Sequence, residues 1–224
     1  MAPLACSDAA RCSSNRCSLC PYGHTISAMD EPKAKQFILA SASPRRRDLL
    51  RHAGYAFDIV VPEVDESAFF NDARSASRLA EILALAKARR VAARYPKRLV
   101  IGADTVVDSH GEIIGKPADA ADAERITRKL FGSPHQVITG VALVRLRDSI
   151  EIVRSDVTTV YPKPLSEQQI AEHIAGGDWE GKAGAYGVQD TGDAFVDHLD
   201  GSLTNVMGLP MELLEQLLSN LSSR

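Results

Sequence analysis

Short runs of apolar residues, bounded by glycines, prolines and polar turns, recur along this chain and predict the strands of a sheet. The run at residues 98–107 is almost continuously apolar, which is typical of a strand buried on both faces. Two later runs meet at Arg147-Asp148-Ser149, which predicts an antiparallel hairpin. The predicted strands lie at residues 38–40, 57–61, 98–107, 112–114, 137–147 and 150–161.

Between these runs, apolar residues recur every three to four positions, which predicts helices. Ser43 suits the N-cap of the first helix and Pro44 its first position, while Pro96 ends the second. Ser166 and Gln169 have the spacing of a capping box. The alternation predicts an α/β fold, in which helices cover both faces of a mixed, partly antiparallel sheet. The helices are expected from residue 44 onward and at residues 79–95, 118–131, 166–175 and 209–221.

The composition narrows the class of protein. Of 224 residues, 45% are hydrophobic and 25% are charged, as in a globular protein with a sizeable core. The net charge is −3, whereas proteins that bind nucleic-acid polymers usually carry a basic excess. No apolar run is long enough to span a membrane. We therefore expect neither a nucleic-acid polymer nor a membrane as partner.

The first 35 residues differ from the rest of the chain, since they hold all four of its cysteines. Cys17 and Cys20 form a C-x-x-C pair that His24 could join in a zinc site, but Cys6 and Cys12 are spaced irregularly for one. We expect a disordered extension at residues 1–35 and a single domain at residues 36–224. A domain without cysteine is compatible with the cytoplasm, where we expect the protein.

Three arginines follow the first predicted strand and open the first predicted helix. A helix N-terminus offers free N–H groups, and Arg45 and Arg46 add cations that can bind phosphate. The alternative is a capped helix with a solvated basic first turn. Arginines there oppose the helix dipole, so capping by Ser43 does not by itself explain them.

Two acidic segments are candidates for catalysis. Asp65 and Glu66 follow the second predicted strand, and Asp104 interrupts the most apolar one beside Thr105. A carboxylate in such a strand is costly unless it is paired, hydrogen-bonded or bound to metal. Because the chain stays apolar after Thr105, we expect Asp104 to face a site rather than to cap a turn.

Two further segments carry polar chemistry. In Gly115-Lys116-Pro117 a lysine is fixed between a flexible and a rigid residue, although a plain turn explains it equally well. The glycine-rich segment at residues 182–189 would let its backbone approach a ligand, while Lys182, Tyr186 and Gln189 add charge, stacking and hydrogen bonds. A mobile surface loop is the alternative for that segment.

Together these residue types favour phosphoanhydride chemistry on a nucleotide. Carboxylates are the ligands of hard cations such as Mg²⁺ or Mn²⁺, and arginines and lysines bind phosphate oxygens. The G-x-x-x-x-G-K-S/T spacing of a P-loop is absent from the sequence, which excludes that class of nucleotidase.

Five motifs in this order resemble those of the Maf family of nucleoside triphosphate pyrophosphatases, and the resemblance spans about residues 37–220. They are Ser-x-Ser-Pro-Arg-Arg at 41–46, Gly-Ala-Asp-Thr-Val-Val at 102–107, Gly-Lys-Pro at 115–117, Lys-Ala-Gly-Ala-Tyr-Gly-Val-Gln at 182–189 and Val-Met-Gly-Leu-Pro at 206–210. The segment at 182–189 looks like that of the branch that acts on dTTP and UTP.

The resemblance implies an α/β/α sandwich with a central nucleotide cleft, usually as a homodimer. It implies hydrolysis of a nucleoside triphosphate to the monophosphate and pyrophosphate with a divalent metal, which would clear non-canonical or excess nucleotides. The family's proton acceptor falls on Asp104 and its specificity positions on Arg45, Thr105 and Gln189. Its pocket lysines match Lys87 and Lys116.

Residues and resemblance together give one set of expected site residues. Asp65, Glu66 and Asp104 are the expected metal ligands. The expected substrate contacts are Ser43, Arg45, Arg46, Lys87, Thr105, Lys116, Lys182, Tyr186 and Gln189. The alternative function is a non-catalytic nucleotide-binding regulator of cell division, and a phosphatase that releases orthophosphate is the chemical alternative. The intact acidic set favours the enzyme over the regulator, and analysis of the products distinguishes the phosphatase.

Overall fold

The computed structural model describes residues 36–72, 75–187 and 195–222, and among them seven strands form one mixed sheet. The strands run in the order β2-β1-β3-β5-β6-β7, and β4 pairs with β3. The three strands β2, β1 and β3 are parallel to one another, and the remaining pairs are antiparallel. The strands are β1 (Phe37–Ala40), β2 (Phe57–Ile59), β3 (Val100–Ser109), β4 (Glu112–Ile114), β5 (His135–Arg145), β6 (Ile150–Pro162) and β7 (Val196–Asp200).

Helices cover both faces of this sheet, which confirms the predicted layering. The α2 helix packs on β3 and β5 from one side, and α1, α3 and α6 lie on the other. Short 3₁₀ turns occupy Glu66–Asp72, Leu146–Asp148 and Ala183–Ala185. The helices are α1 (Pro44–His52), α2 (Ala76–Ala92), α3 (Ala120–Leu130), α4 (Glu167–Gly176), α5 (Leu203–Val206) and α6 (Met211–Ser222).

An internal gap interrupts the sheet beside β3. The β1 strand pairs with β3 only as far as Gly102, and β4 pairs with β3 only from Val107 onward. Val107 also pairs with Val137 of β5, so β4 must lie on the same side of β3 as β1. Between β1 and β4, residues 103–106 pair with β5 alone among the described strands.

Consecutive residues of β3 face opposite layers, because side chains alternate along a strand. Val106 packs with residues of α2, whereas Ile101 and Ala103 pack with residues of α6. By this alternation Asp104 faces the layer of α2, and Thr105 faces the layer of α1 and α6.

Two glycines allow α2 to lie directly against the sheet. A Cβ at Gly102 would come within 2.3 Å of the Ala84 carbonyl oxygen, and one at Gly140 within 2.3 Å of the Ala80 carbonyl oxygen. No larger residue fits between the helix backbone and β3 or β5 at these points. This close approach brings the side chain of Lys87 from α2 to the sheet.

The predicted elements are confirmed, with ends that shift by a few residues. The α2 helix begins at Ala76, earlier than predicted, because the Ser75 hydroxyl accepts a hydrogen bond from the Arg78 N–H at 3.2 Å. It ends at Ala92, before the predicted residue 95, and β2 is two residues shorter than predicted. The hairpin is present, and the capping box at Ser166 is complete.

The short α5 helix was not predicted, since only the Ser202 cap and no apolar period marks it. None of the described helices combines the length and the apolar character needed to cross a membrane. The extension predicted at residues 1–35 lies outside the described residues.

Candidate active site

A cleft of about 480 Å³ lies beside the interior gap in the sheet. Ten of the predicted site residues line it, although they come from six separate segments of the chain. Asp65 does not line the cleft, and Gln189 lies outside the described residues. The ten are Ser43, Arg45, Arg46, Glu66, Lys87, Asp104, Thr105, Lys116, Lys182 and Tyr186.

The turn into α1 forms one wall of the cleft. The Ser43 hydroxyl accepts a hydrogen bond from the Arg46 N–H at 3.5 Å, and the Ser43 N–H donates to the Ser41 hydroxyl at 3.1 Å. Pro44 occupies the first turn of the helix, where its missing N–H costs nothing. The predicted cap is therefore confirmed, and the helix N-terminus opens toward the cleft.

Arg46 is held in place by neutral oxygen atoms. Its Nε donates to the Gly208 carbonyl at 2.6 Å, Nη1 to the Ser41 hydroxyl at 3.3 Å and Nη2 to the Thr105 hydroxyl at 3.0 Å. Burial lowers the pKa of Arg46, and the charge of Asp104 opposes that effect. A guanidinium has five N–H groups, so two remain for an anion in the cleft.

Lys87 is held instead by two carboxylates. Its Nζ lies 2.6 Å from Glu66 Oε1 and 2.5 Å from Asp104 Oδ1, and the residues Lys87 and Asp104 are 9% and 7% exposed. Lys116 Nζ lies 3.6 Å from Glu66 Oε2. Burial alone would raise the pKa of Glu66, but hydrogen bonds and charge from Lys87 and Lys116 outweigh it and hold that pKa below its ordinary value.

Two of the three predicted metal ligands, Glu66 and Asp104, line the cleft. Within the described residues, no three His, Cys, Asp or Glu side chains come together as a metal site. Asp65 is exposed, and its Oδ1 accepts from the Ser67 hydroxyl at 2.7 Å and the Ser67 N–H at 3.0 Å, which lowers its pKa. Glu66 and Asp104 fit a hard cation shared with substrate phosphates, because Mg²⁺ commonly takes only one or two protein carboxylates.

Tyr186 contributes its ring to the cleft wall, while its hydroxyl lies in the core. The hydroxyl is 2.8 Å from His135 Nε2, and His135 Nδ1 is 3.1 Å from the Leu130 carbonyl oxygen. Burial lowers the pKa of His135 and raises that of Tyr186. Neutral His135 therefore donates from Nδ1 to Leu130 and accepts at Nε2 from the Tyr186 hydroxyl.

Apolar residues line part of the cleft wall, and sequence reasoning did not find most of them. Val107 and Val137 pair across β3 and β5 and belong to this part of the wall. The loop after α5 adds Met207, and its Gly208 carbonyl accepts the hydrogen bond from Arg46. The one available signal was the Val-Met-Gly-Leu-Pro motif, which by itself carries no charged or nucleophilic group.

Comparison with known proteins identifies relatives of this chain. The family model described as Maf-like protein matches residues 36–221. The dTTP/UTP pyrophosphatase of Symbiobacterium thermophilum is 48% identical over 185 residues, which cover 83% of this chain and 93% of that protein. The dTTP/UTP pyrophosphatase of Geobacter metallireducens is 45% identical over 188 residues, covering 83% and 96%.

A more distant likeness is to a solved structure of the Staphylococcus aureus Ham1 protein. It has a TM-score of 0.40 and 15% identity over 57% of this chain and 72% of that one. The family model alone spans most of the chain, including every predicted site residue. The chain belongs to the Maf family.

Proposed function

We propose that this protein hydrolyses nucleoside triphosphates to the monophosphate and pyrophosphate, with dTTP and UTP preferred. The observation that carries the proposal is the pair Asp104 and Thr105, adjacent on β3 at the gap in the sheet. Asp104 contacts Lys87 on one face, and Thr105 contacts Arg46 on the other. The names of the two relatives support the choice of substrate.

The cationic part of the cleft suits a triphosphate. Arg45, Lys116 and Lys182 line it together with Arg46 and the N-terminus of α1. Two N–H groups of the Arg46 guanidinium are available for phosphate oxygens, and its position is fixed before substrate binds. Such fixed donors stabilise charge on the departing pyrophosphate without reorganisation during the reaction.

The reaction requires a base beside the α-phosphorus atom. The Oδ1 atom of Asp104 accepts a hydrogen bond from Lys87. Within the described residues Asp104 Oδ2 makes no hydrogen bond, so it can accept the proton of an attacking water. The water oxygen bonds to the α-phosphorus, the bond to the bridging α–β oxygen breaks, and pyrophosphate leaves with that oxygen.

Glu66 and Asp104 are the residues that would hold a divalent cation in the described part of the chain. A bound Mg²⁺ or Mn²⁺ supplies charge stabilisation at the phosphate oxygens and lowers the pKa of coordinated water. Lys87 contacts both carboxylates before the cation and substrate arrive, and together with Lys116 it outweighs burial and lowers the pKa of Glu66. Asp65 stays a predicted ligand, and its present contacts with Ser67 would have to open.

The apolar part of the cleft wall suits a nucleobase. Val107, Val137 and Met207 offer flat apolar contact, with the Tyr186 ring beside them. Under this proposal the predicted contact from Gln189 reads the edge of a pyrimidine ring. Its amide offers a donor and an acceptor that match N3–H and O4 of uracil or thymine.

Product analysis in ¹⁸O-labelled water tests the proposal. Purified protein is incubated with dTTP, UTP, CTP, ATP and GTP, with Mg²⁺ or Mn²⁺ and without either. We expect equal amounts of monophosphate and pyrophosphate, with the label in the monophosphate, because water attacks the α-phosphorus. Diphosphate with orthophosphate would establish a phosphatase, and tight binding without turnover would establish a nucleotide-binding regulator.

The same proposal includes a homodimer that removes non-canonical or excess nucleotides in the cytoplasm. Sedimentation of the protein with and without nucleotide tests the oligomeric state. A monomer at working concentration would contradict that part and leave the hydrolytic part intact.

A further inference from the structure

A chain of hydrogen bonds leads from Arg46 along one face of the sheet to helix α5. Arg46 Nη2 donates to the Thr105 hydroxyl at 3.0 Å, and the hydroxyls of Thr105 and Thr139 are 3.0 Å apart. The Thr139 hydroxyl in turn donates to the Asn205 carbonyl at 2.9 Å. Thr139 and Asn205 are fully buried, so water cannot replace these partners.

The chain has a fixed direction, because each hydroxyl carries one proton. The proton of Thr139 is committed to the Asn205 carbonyl, which can only accept. Between the two hydroxyls, Thr105 must therefore be the donor and Thr139 the acceptor. Arg46 occupies one lone pair of the Thr105 oxygen. Thr105 has one lone pair left and no proton to offer to the cleft.

Thr105 lies between Arg46 and Val107 on the wall of the cleft. It is hydrogen-bonded to Arg46 and stands two residues before Val107 on the same face of β3. A nucleotide whose phosphates contact Arg46 and whose base contacts Val107 must pass over Thr105. The nucleoside group that meets Thr105 must donate a hydrogen bond, because the Thr105 oxygen can offer only a lone pair. An acceptor on the nucleoside would find no proton there.

We propose that Thr139 is a positioning residue that makes Thr105 an acceptor toward the nucleoside and so selects substrates with a donor at that point. The inference rests on the proposed function and deepens it. The donor is an N–H or O–H group of the nucleoside, and two groups that dTTP and UTP share qualify. One is N3–H of the base, which cytosine replaces with an acceptor, and the other is the 3′-hydroxyl of the sugar.

Three variants separate positioning from plain stability. Thr139→Val keeps the shape of the side chain but removes the hydroxyl, so the Thr105 proton is free to turn toward the cleft. Thr139→Ser retains the hydroxyl and should restore the wild-type behaviour. Thr158→Val is the matched control, because Thr158 is equally buried and bonds Ser202, the cap of α5, and Asn205 within α5, without a hydrogen bond to Thr105.

The measurement is kcat/KM for two pairs of substrates, UTP against CTP and dTTP against its 3′-deoxy analogue, together with the melting temperature. In the wild type we expect the loss of the selected donor to lower kcat/KM by about 3- to 10-fold or more, as for one hydrogen bond. In Thr139→Val the ratio of kcat/KM between the substrate that has the donor and the one that lacks it should fall toward one. The pair that responds identifies the donor as base or sugar.

Melting should fall by similar amounts in Thr139→Val and Thr158→Val, while only the former changes a substrate ratio. Unchanged ratios in Thr139→Val, equal changes in Thr158→Val, or no rescue by Thr139→Ser would overturn the inference. Calorimetric binding of α,β-imido-UTP and α,β-imido-CTP gives the same comparison without turnover. If the wild type discriminates in binding yet produces no pyrophosphate, the proposed function is wrong and the inference stands.

Discussion

On one face of β3 Lys87 contacts two carboxylates, whereas on the other face Arg46 contacts only neutral oxygens. Both cations line one cleft and both are largely enclosed, but their partners differ in charge. The charge of Lys87 is matched by Glu66 and Asp104, and together with Lys116 it outweighs burial and lowers the pKa of Glu66. The charge of Arg46 has no anion in contact among the described residues, and so it is available to a ligand.

The contrast shows that the number of basic residues in a cleft does not measure its affinity for anions. A buried cation bound by carbonyl and hydroxyl oxygens keeps its positive field, while one bound by carboxylates loses most of it. On this basis we expect the α1 face to bind phosphate and the α2 face to provide the base. The predictions below change one face at a time.

The largest effect is expected when the acidic face is changed alone. Asp104→Asn keeps a hydrogen-bond acceptor for Lys87 but removes the base and one carboxylate. Turnover should fall by roughly 10²–10⁴-fold, the usual cost of losing a general base. Steady-state rates with dTTP, alongside circular dichroism to show that the variant is folded, make the test. A folded variant that keeps more than about a tenth of the wild-type rate would rule out this role.

On the other face, Arg46→Lys keeps the charge but not the geometry. One ammonium cannot bond Ser41, Thr105 and Gly208 and also present two N–H groups to phosphate. We expect kcat/KM to fall by about 10²-fold, as for a lost charged donor in a closed site. Arg47→Lys is the matched control, because Arg47 does not line the cleft. Equal losses in the two variants would mean that the arginine run acts through the helix and not through the cleft.

The pH dependence sharpens the comparison, since it reports on the two lysines that contact Glu66. In the wild type the pKa of Glu66 is lowered by Lys87 and, to a smaller extent, by Lys116. A lowered carboxyl pKa gives stability that is present above the unfolded-state pKa and is lost as the pH falls through the folded-state pKa. Removing either lysine raises that pKa.

The acid limb of the kcat profile and the acid-induced loss of stability should therefore move to higher pH in Lys87→Met. The shift should be smaller in Lys116→Met, whose side chain is farther from Glu66. Urea unfolding and rate profiles across the acidic range provide the measurement. No shift in Lys87→Met, or a larger one in Lys116→Met, contradicts the account.

A smaller effect on activity is expected when the contact between α2 and the sheet is disturbed. Gly140→Ala places a Cβ within 2.3 Å of the α2 backbone, so the helix that carries Lys87 must move away from the sheet. Overpacking of this kind costs about 1–3 kcal/mol of stability. Gly176→Ala serves as control, because its Cβ would meet no atom closer than 3.9 Å. Calorimetric melting and the rate with dTTP should both fall in Gly140→Ala only.

The local parts of this site could be predicted from the sequence. Ser43 and Pro44 act within one turn of helix, so their residue types determine the cap. Asp104 stands out because a carboxylate in a buried apolar strand requires a partner. Strand and helix positions followed for the same reason, since hydrophobic period reflects which side of an element is buried.

Long-range contacts could not be predicted in this way. The Arg46 side chain bonds the carbonyl of Gly208, 162 positions away, and a carbonyl has no sequence signal. The difference between Asp65 and Glu66 depends on the 3₁₀ turn that begins at Glu66 and directs it into the cleft. Thr139 appeared as an ordinary strand residue, because its role depends on which strand lies beside β3.

The gap beside β3 also bears on self-association. A strand with free backbone groups normally invites another chain to pair with it, and proteins protect such edges with charges, bulges or covering elements. Here residues 103–106 lie between β1 and β4, which leave room for a small molecule but not for the length of a foreign strand. Among the described strands, the sheet therefore leaves a short stretch of backbone open to a ligand but too short for another protein chain to pair with.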